Sequence, residues 1–207
     1  MGTDRAVDGG GLSQSAAAGL SVEQQFDLVR ERDARMQELL TGAQLQISSG
    51  VWGWGQKGGA PITGPNAWSL PGMTTDNSYY LDMWRWIRPE GAAGARVDLE
   101  PMIEYFESQG WEFEVTENRG DHRARADTGD GYWVTWNVQE NGMYNMGVMS
   151  RSYWGSGPEL LSAIADRTPP EKLEIEESEP GVYIPFPDWN DPRDYAPNLL
   201  DHSGPAE

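Results

Sequence analysis

The feature that most constrains this fold is a series of turn signals between residues 111 and 153. Asn118-Arg-Gly-Asp121, Asp127-Thr-Gly-Asp-Gly131 and Asn141-Gly142 separate short runs that are rich in aromatic and β-branched residues. Gly, Asn and Asp accept the backbone angles of tight turns, and Asn-Gly is a strong hairpin signal. The sequence therefore predicts an antiparallel meander with strands at 111–117, 122–126, 132–139 and 143–153.

A long helix is predicted at about residues 22–41. Ser21 and Gln24 have the spacing of a capping box, in which each side chain accepts a hydrogen bond from the other residue's backbone N–H. Gly42 stands where a glycine commonly ends a helix. The apolar side chains that follow at helical spacing are Val22, Phe26, Val29, Met36, Leu39 and Leu40.

A second helix is predicted at 99–109, where Asp98 is placed to cap the first turn and Gly110 to end the last. The alternating run at 44–54 and the aromatic-rich run at 78–88 predict two more strands. This order of elements predicts an α+β fold, with two helices packed on one face of a mostly antiparallel sheet of about five strands.

The two ends of the chain differ in composition from the α+β domain predicted at 21–168. Residues 1–20 are small and have little to bury, which predicts a flexible leader. Residues 169–207 contain eight prolines and ten acidic residues against two basic ones. Such a segment cannot fold alone, but 182–189 is apolar enough to pack as an extended strap on the domain, followed by a disordered end.

The charge and the cysteine count exclude several classes of function. The chain has a formal net charge of −18, which repels nucleic acid and anionic membranes and attracts basic partners. It contains no cysteine, so disulfides, iron–sulfur clusters and thiolate zinc sites are excluded. Its two histidines, His122 and His202, lie far apart in the sequence, and we predict neither a metal site nor a cofactor.

Ten tryptophans are the most unusual feature of the composition. Two pairs, Trp52 with Trp54 and Trp84 with Trp86, are spaced two residues apart, so each pair projects to one face of its predicted strand. An exposed pair would form an aromatic platform for a flat ligand such as a sugar. A buried pair would instead fill the core of a chain that is poor in leucine and isoleucine. All four are the candidate binding residues.

The sequence does not contain an arrangement specific to catalysis. Acidic residues near aromatic ones could be imagined as a glycoside-hydrolysing pair, but their spacing is not specific to that reaction. They are Asp76, Asp82, Glu112 and Glu114. The turn at 127–131 lacks the ligand spacing of a calcium loop. Without a nucleophile, a base and a residue that orients the base, we predict that the protein is not an enzyme.

One family resembles this chain in the order of its elements. Residues 98–110, the run Trp111-Glu-Phe-Glu-Val115 and the run Tyr132-Trp-Val-Thr-Trp136 resemble the second half of actinobacterial LppA-type lipoproteins. The first helix, with Arg30-Glu-Arg-Asp-Ala-Arg-Met36, and the strand that contains Trp52-Gly-Trp54 resemble their first half. The likeness covers roughly residues 21–165.

This resemblance implies an extracytoplasmic, cell-envelope domain that is tethered to the membrane by a lipidated cysteine. The small-residue leader suits a spacer after such an anchor. The sequence departs from the family in having no cysteine, no lipobox and no signal peptide, so a tether would require a lipidated cysteine upstream. The resemblance assigns no catalytic residues.

Three functions remain open at this point. The first is a non-catalytic cell-envelope domain that binds a protein or a cell-wall ligand. The second is a cytoplasmic acidic inhibitor, such as an immunity protein, that neutralises a basic toxin. The third is a carbohydrate-binding protein that uses tryptophans on its surface.

Overall fold

The computed structural model describes residues 6–58 and 60–190. Its helices are α1 (Gln14–Ala18), α2 (Val22–Ile47), α3 (Glu100–Gln109), α4 (Gly157–Ala165) and α5 (Pro170–Glu174). Its strands are β1 (Trp52–Lys57), β2 (Ile62–Thr63), β3 (Ser78–Tyr80), β4 (Asp82–Ile87), β5 (Glu112–Asn118), β6 (Asp121–Asp127), β7 (Tyr132–Val138), β8 (Tyr144–Ser150), β9 (Tyr153–Trp154) and β10 (Glu177–Ser178).

The strands form two antiparallel sheets. The main sheet has seven strands in the order β10-β1-β4-β8-β7-β6-β5, and a smaller sheet has the order β2-β3-β9. The predicted meander is confirmed as β5 to β8, each strand pairing with the next. Helix α2 packs across β7 and β8, and α3 packs against β5 and β6. The predicted α+β class, with helices against an antiparallel sheet, is confirmed.

Helix α2 begins as predicted and ends later than predicted. The Ser21–Gln24 capping box is present, with both side chains accepting backbone hydrogen bonds. Gly42 does not end the helix, which continues to Ile47. A Cβ at Gly42 would lie 2.8 Å from the Tyr105 hydroxyl, so this glycine allows close contact between α2 and α3. The strand predicted at 44–54 is therefore wrong in its first half.

Helix α3 ends at Gly110, whose φ of 70° is the left-handed cap that was predicted. Its start differs from the prediction, because Asp98 lies in a short 3-10 turn and does not cap the helix. The Asp98 carboxylate instead accepts a hydrogen bond from the Tyr144 hydroxyl on β8. The acidic residue thus ties the start of α3 to the sheet.

The core between the helices and the main sheet contains several large aromatic side chains. Trp52 is fully buried and packs edge-on against Trp136, with ring centroids 6.1 Å apart. Phe26 from α2 and Phe106 from α3 are also fully buried. Aromatic residues therefore fill much of the space that leucine and isoleucine fill in other cores.

The described part of the leader packs on the domain, whereas we expected it to have little to bury. Ala17 of α1 is 1% exposed. The Asp8 carboxylate accepts hydrogen bonds from the backbone N–H groups of Gly10, Leu12 and Trp154. Because the Asp8 carboxylate bonds both the loop at residues 10–12 and strand β9, it links residues 6–20 to the smaller sheet.

Residues 169–190 lie on the domain as the strap that was predicted. Strand β10 pairs with β1 at the edge of the main sheet. Further on, Phe186 and Trp189 pack edge-on against Phe26, at centroid distances of 5.0 and 5.3 Å. The disordered end predicted beyond this strap falls on residues 191–207, which lie outside the described residues. Among the described helices, none combines the length and apolar character that a membrane span requires.

Candidate functional site

The candidate site is the face of the main sheet that is turned away from α2 and α3, called here the outer face. Side chains alternate along each strand, so every second residue of the central strands belongs to it. Its central residues are Asp82, Trp84 and Trp86 on β4, Asn145, Gly147 and Met149 on β8, Trp133, Thr135 and Asn137 on β7, and Arg123, Arg125 and Asp127 on β6.

Trp84 and Trp86 lie flat on this face because glycines occupy the positions beneath their rings. A Cβ at Gly147 would lie 2.5 to 2.6 Å from three atoms of the Trp84 ring. A Cβ at Gly53 would overlap the Trp86 indole. Each ring therefore has one face against a neighbouring strand. Trp86 remains 37% exposed, which is unusual for so large an apolar side chain.

Asp82 supports the Trp84 ring from the same strand. The Trp84 side chain hydrogen-bonds to the Asp82 carboxylate. Burial raises the pKa of Asp82, and the hydrogen bonds from Trp84 and from the Met83 backbone oppose that rise. Its Oδ1 atom is buried and has no hydrogen-bond partner within the described residues. The indole is thus fixed at its nitrogen edge as well as on its lower face.

A row of polar side chains extends from Trp86 across the sheet. Trp86 stands opposite Asn145, Asn145 opposite Asn137, and Asn137 opposite Arg123. On its other side, Arg123 stands opposite Thr116 of β5, and the Arg123 Nε donates a hydrogen bond to the Thr116 hydroxyl at 3.2 Å. The row therefore presents an aromatic ring, two amides, a guanidinium and a hydroxyl on neighbouring strands.

A groove of about 310 Å³ lies at the far end of this row. Its lining residues come from β5, β6 and β7 and the turns that join them: Thr116, Glu117, Asn118, Asp121, His122, Arg123, Asn137 and Gln139. Gln139 connects the groove to the row, because its side-chain oxygen accepts a hydrogen bond from Asn145 at 3.0 Å. The groove and the tryptophans thus belong to one continuous surface.

The loop before β3 covers another part of the outer face. Trp68 stacks on Trp133, with ring centroids 3.9 Å apart and planes at 21°. The Arg125 guanidinium lies 4.9 Å from the Trp68 ring and forms an ion pair with Glu114 at 2.6 Å. This cover limits the accessible aromatic surface of the central strands to Trp84 and Trp86.

The first tryptophan pair is not available at this surface, although both of its members were candidate binding residues. Trp52 is 0% exposed and packs in the core. Trp54 is 8% exposed, lies under the Arg85 guanidinium at 3.8 Å, and donates from Nε1 to Ser178 of the strap at 2.8 Å. Because β1 is turned with its tryptophans toward α2 and its glycines outward, only the second pair reaches the outer face.

The sequence did not point to the side-chain amides of Asn137, Gln139 and Asn145 as candidate binding groups. Asn137 and Gln139 on one predicted strand, and Asn145 on the next, were polar residues within apolar runs. Period-two alternation would have placed Asn137 and Gln139 on one face. Their juxtaposition with Trp86 depends on strand register and could not be read from spacing alone.

The acidic residues considered for catalysis are not paired around the tryptophans. Asp82 on β4 is separated from Glu112 and Glu114 on β5 by β8, β7 and β6, so four strand spacings place them about 19 Å apart. That exceeds the separation used by glycoside hydrolases. Glu112 and Glu114 lie on the edge strand β5, and Asp76 lies in the loop before β3. Within the described ranges, no three His, Asp or Glu residues are grouped to hold a metal ion.

Comparison with known proteins adds a weak structural likeness. No family model and no curated protein matches the sequence. Among solved structures, the chain is similar to the crystal structure of the candidate lipoprotein LppA from Mycobacterium tuberculosis. The match has a TM-score of 0.32 and 11% sequence identity, and it covers 67% of this chain and 89% of that chain. It concerns the same lipoprotein type that residues 21–165 resemble, but at this TM-score it carries no argument about function.

Proposed function

We propose that this protein is a non-catalytic binding domain of the cell envelope, and that it holds an uncharged carbohydrate on the outer face. One observation carries the proposal: Trp84 and Trp86 lie flat on the sheet, beside a row of side-chain amides. Rings that rest on glycines are held in place before a ligand arrives. Binding therefore costs little ordering of these side chains.

The chemistry of the row suits a sugar. A pyranose ring has an apolar face of C–H groups and a rim of hydroxyls, each able to donate and to accept a hydrogen bond. The Trp86 ring offers an apolar face, and the amides of Asn145 and Asn137 each offer both donors and acceptors. The combination matches a ligand that is apolar on its faces and polar at its edges.

The charges on the outer face favour a neutral ligand. On the outer face, Arg125 is paired with Glu114 at 2.6 Å, and Arg123 donates a hydrogen bond to the Thr116 hydroxyl. Nearby Arg151 is paired with Asp127 at 3.1 Å. The overall charge of −18 opposes flat but anionic ligands such as nucleic acid. Stacking and hydrogen bonding are therefore the interactions that this surface offers.

The other parts of the proposal have separate support. The proposed absence of catalysis is supported by the wide separation of Asp82 on β4 from Glu112 and Glu114 on β5. The envelope location is supported by the sequence resemblance of residues 21–165 to lipoproteins. A membrane anchor of that type would require a lipidated cysteine upstream of this chain, which contains no cysteine.

Titration with soluble neutral cell-wall glycans, followed by calorimetry and tryptophan fluorescence, tests the proposal. Trp86→Ala should weaken binding on the order of tenfold or more, as loss of one stacked aromatic does elsewhere. Phe113→Ala is a matched control, because Phe113 is 36% exposed but lies on β5, away from Trp86. If no glycan of the panel binds, or if Trp86→Ala binds as the wild type does, the proposal is wrong.

A further inference from the structure

The polar row and the groove together define a path for an extended ligand. Trp86, Asn145, Asn137 and Arg123 lie directly opposite one another on β4, β8, β7 and β6. Three strand spacings make the distance from Trp86 to Arg123 about 14 Å. A single sugar stacked on Trp86 would leave the far half of this path empty.

The groove at the end of the path has the hydrogen-bonding groups of a second subsite. Arg123 has five N–H donors, of which Nε bonds Thr116. The Asp121 carboxylate also lines the groove, and one of its oxygens accepts from the Glu140 backbone N–H at 3.1 Å. The amides of Asn137 and Gln139 complete a mixed set of donors and acceptors, which suits hydroxyl groups.

The charges of the groove argue against an anionic ligand. Arg123 and Asp121 are of opposite charge, and Glu117, which also lines the groove, has a carboxylate oxygen 3.7 Å from Nδ1 of His122. A carboxylate or phosphate on the ligand would meet two acidic side chains within the groove. A neutral, hydroxyl-rich chain meets no such repulsion.

We infer that the ligand is a linear neutral glycan that runs across the strands, with one unit on Trp86 and a later unit in the groove beside Arg123 and Asn137. This inference rests on the proposed carbohydrate function and adds the length and direction of the ligand. The amides of Asn145 and Asn137 contact the units between the two subsites.

A length series of one neutral glycan tests this arrangement by calorimetry on the full chain. Affinity should rise about tenfold from the disaccharide to the tetrasaccharide, because the longer chain adds several hydrogen bonds in the groove. Arg123→Gln should lower the affinity for the tetrasaccharide to that for the disaccharide, and should leave the disaccharide affinity unchanged. Trp86→Ala should weaken both ligands.

Arg96→Gln provides a matched control, because Arg96 is an exposed arginine in the 3-10 turn before α3. The wild-type series requires no variant, so it decides the question even if a substitution disturbs folding. Equal affinity for both lengths, with Trp86 still required, overturns the extended path and leaves the carbohydrate function intact. Failure of every length to bind overturns both.

Discussion

At the scale of single residues, two glycines decide how the Trp84 and Trp86 rings lie on the outer face. Gly53 and Gly147 do not have positive φ angles, so an alanine would fit their backbone conformation. What excludes a side chain is the indole ring that lies on each of them. These glycines therefore allow an indole ring to lie close to the backbone, and neither is needed for a turn.

Gly53→Ala should displace the Trp86 ring and abolish glycan binding while leaving the fold intact. The ring is exposed and can swing outward, so the free energy of unfolding should change by about 1 kcal/mol or less. Glycan calorimetry and urea denaturation measure the two effects. Gly19→Ala is the control, because its Cβ would meet nothing closer than 3.5 Å. Unchanged glycan affinity in Gly53→Ala would contradict the assigned ring position.

Two buried tyrosines lead us to expect that the stability of the protein changes with pH in the alkaline range. Tyr79 is 1% exposed, and its hydroxyl accepts a hydrogen bond from Arg32. Burial raises the pKa of Tyr79 to about 12, although the nearby Arg32 charge opposes the rise. Burial also raises the pKa of Tyr153, whose ring lies 3.6 Å from the Arg32 guanidinium.

We expect the free energy of unfolding to fall as pH rises from about 10 to 12. In this window the unfolded chain loses its phenol protons while the native Tyr79 retains its own, so the unfolded state binds fewer protons. The stabilising contribution of Tyr79 is fully present below about pH 10, which is the pKa of tyrosine in the unfolded chain. Denaturant titrations at several pH values measure the slope of the free energy of unfolding against pH. Tyr79→Phe should reduce it, and an identical slope in the variant would contradict this account.

At the scale of elements, the strap buries a lysine side chain in addition to its aromatic packing. Lys172 of α5 is 4% exposed. Burial lowers its pKa, while the Asp33 carboxylate raises it and the Arg85 guanidinium lowers it further. Trp54 adds a hydrogen bond from its indole to Ser178 of β10. The strap thus covers the charged side chains that lie between α2 and β4.

Trp189→Ala should destabilise the protein by about 2 kcal/mol, less than the loss of a fully buried tryptophan, because this side chain is only partly buried. It removes the ring that packs on Phe26 at 5.3 Å and lies under the Arg167 guanidinium at 4.0 Å. Val182→Ala, on an exposed part of the same strap, should change stability by less than about 0.5 kcal/mol. Urea denaturation compares them, and equal stability of the two variants would argue against a docked strap.

At the scale of the whole molecule, the exposed acidic run of the strap and the tryptophans of the outer face lie in different places. Arg125 of the outer face and nearby Arg151 are each paired with an acid, whereas the strap carries an exposed acidic run of Glu174, Glu176, Glu177 and Glu179. A basic protein, as the inhibitor hypothesis requires, would be attracted to the acidic regions. A neutral glycan would depend on Trp84 and Trp86.

Ionic strength should therefore separate the two kinds of ligand. Binding of a basic polypeptide such as polylysine should weaken steeply as salt rises, because exposed charges are screened beyond about 10 Å at 0.1 M salt. Neutral-glycan binding should change little over the same range. Trp86→Ala should affect only the glycan. Competition between polylysine and the glycan would show that they share a surface, contrary to this expectation.

The sequence by itself determined the features that depend on neighbours along the chain. The capping box at Ser21, the left-handed cap at Gly110 and the turns of the β5–β8 meander were all predicted from spacing and residue type. Such features need only a few adjacent residues, so a local pattern is sufficient to specify them.

Only the tertiary structure decided which surfaces are buried. It extended α2 past Gly42, where Tyr105 approaches, and it attached the leader through Asp8 to β9. It also placed Trp52 inside and Trp86 outside, although the two pairs have the same spacing. Period-two alternation shows that two side chains share a face, but strand register and helix packing determine which face is the core.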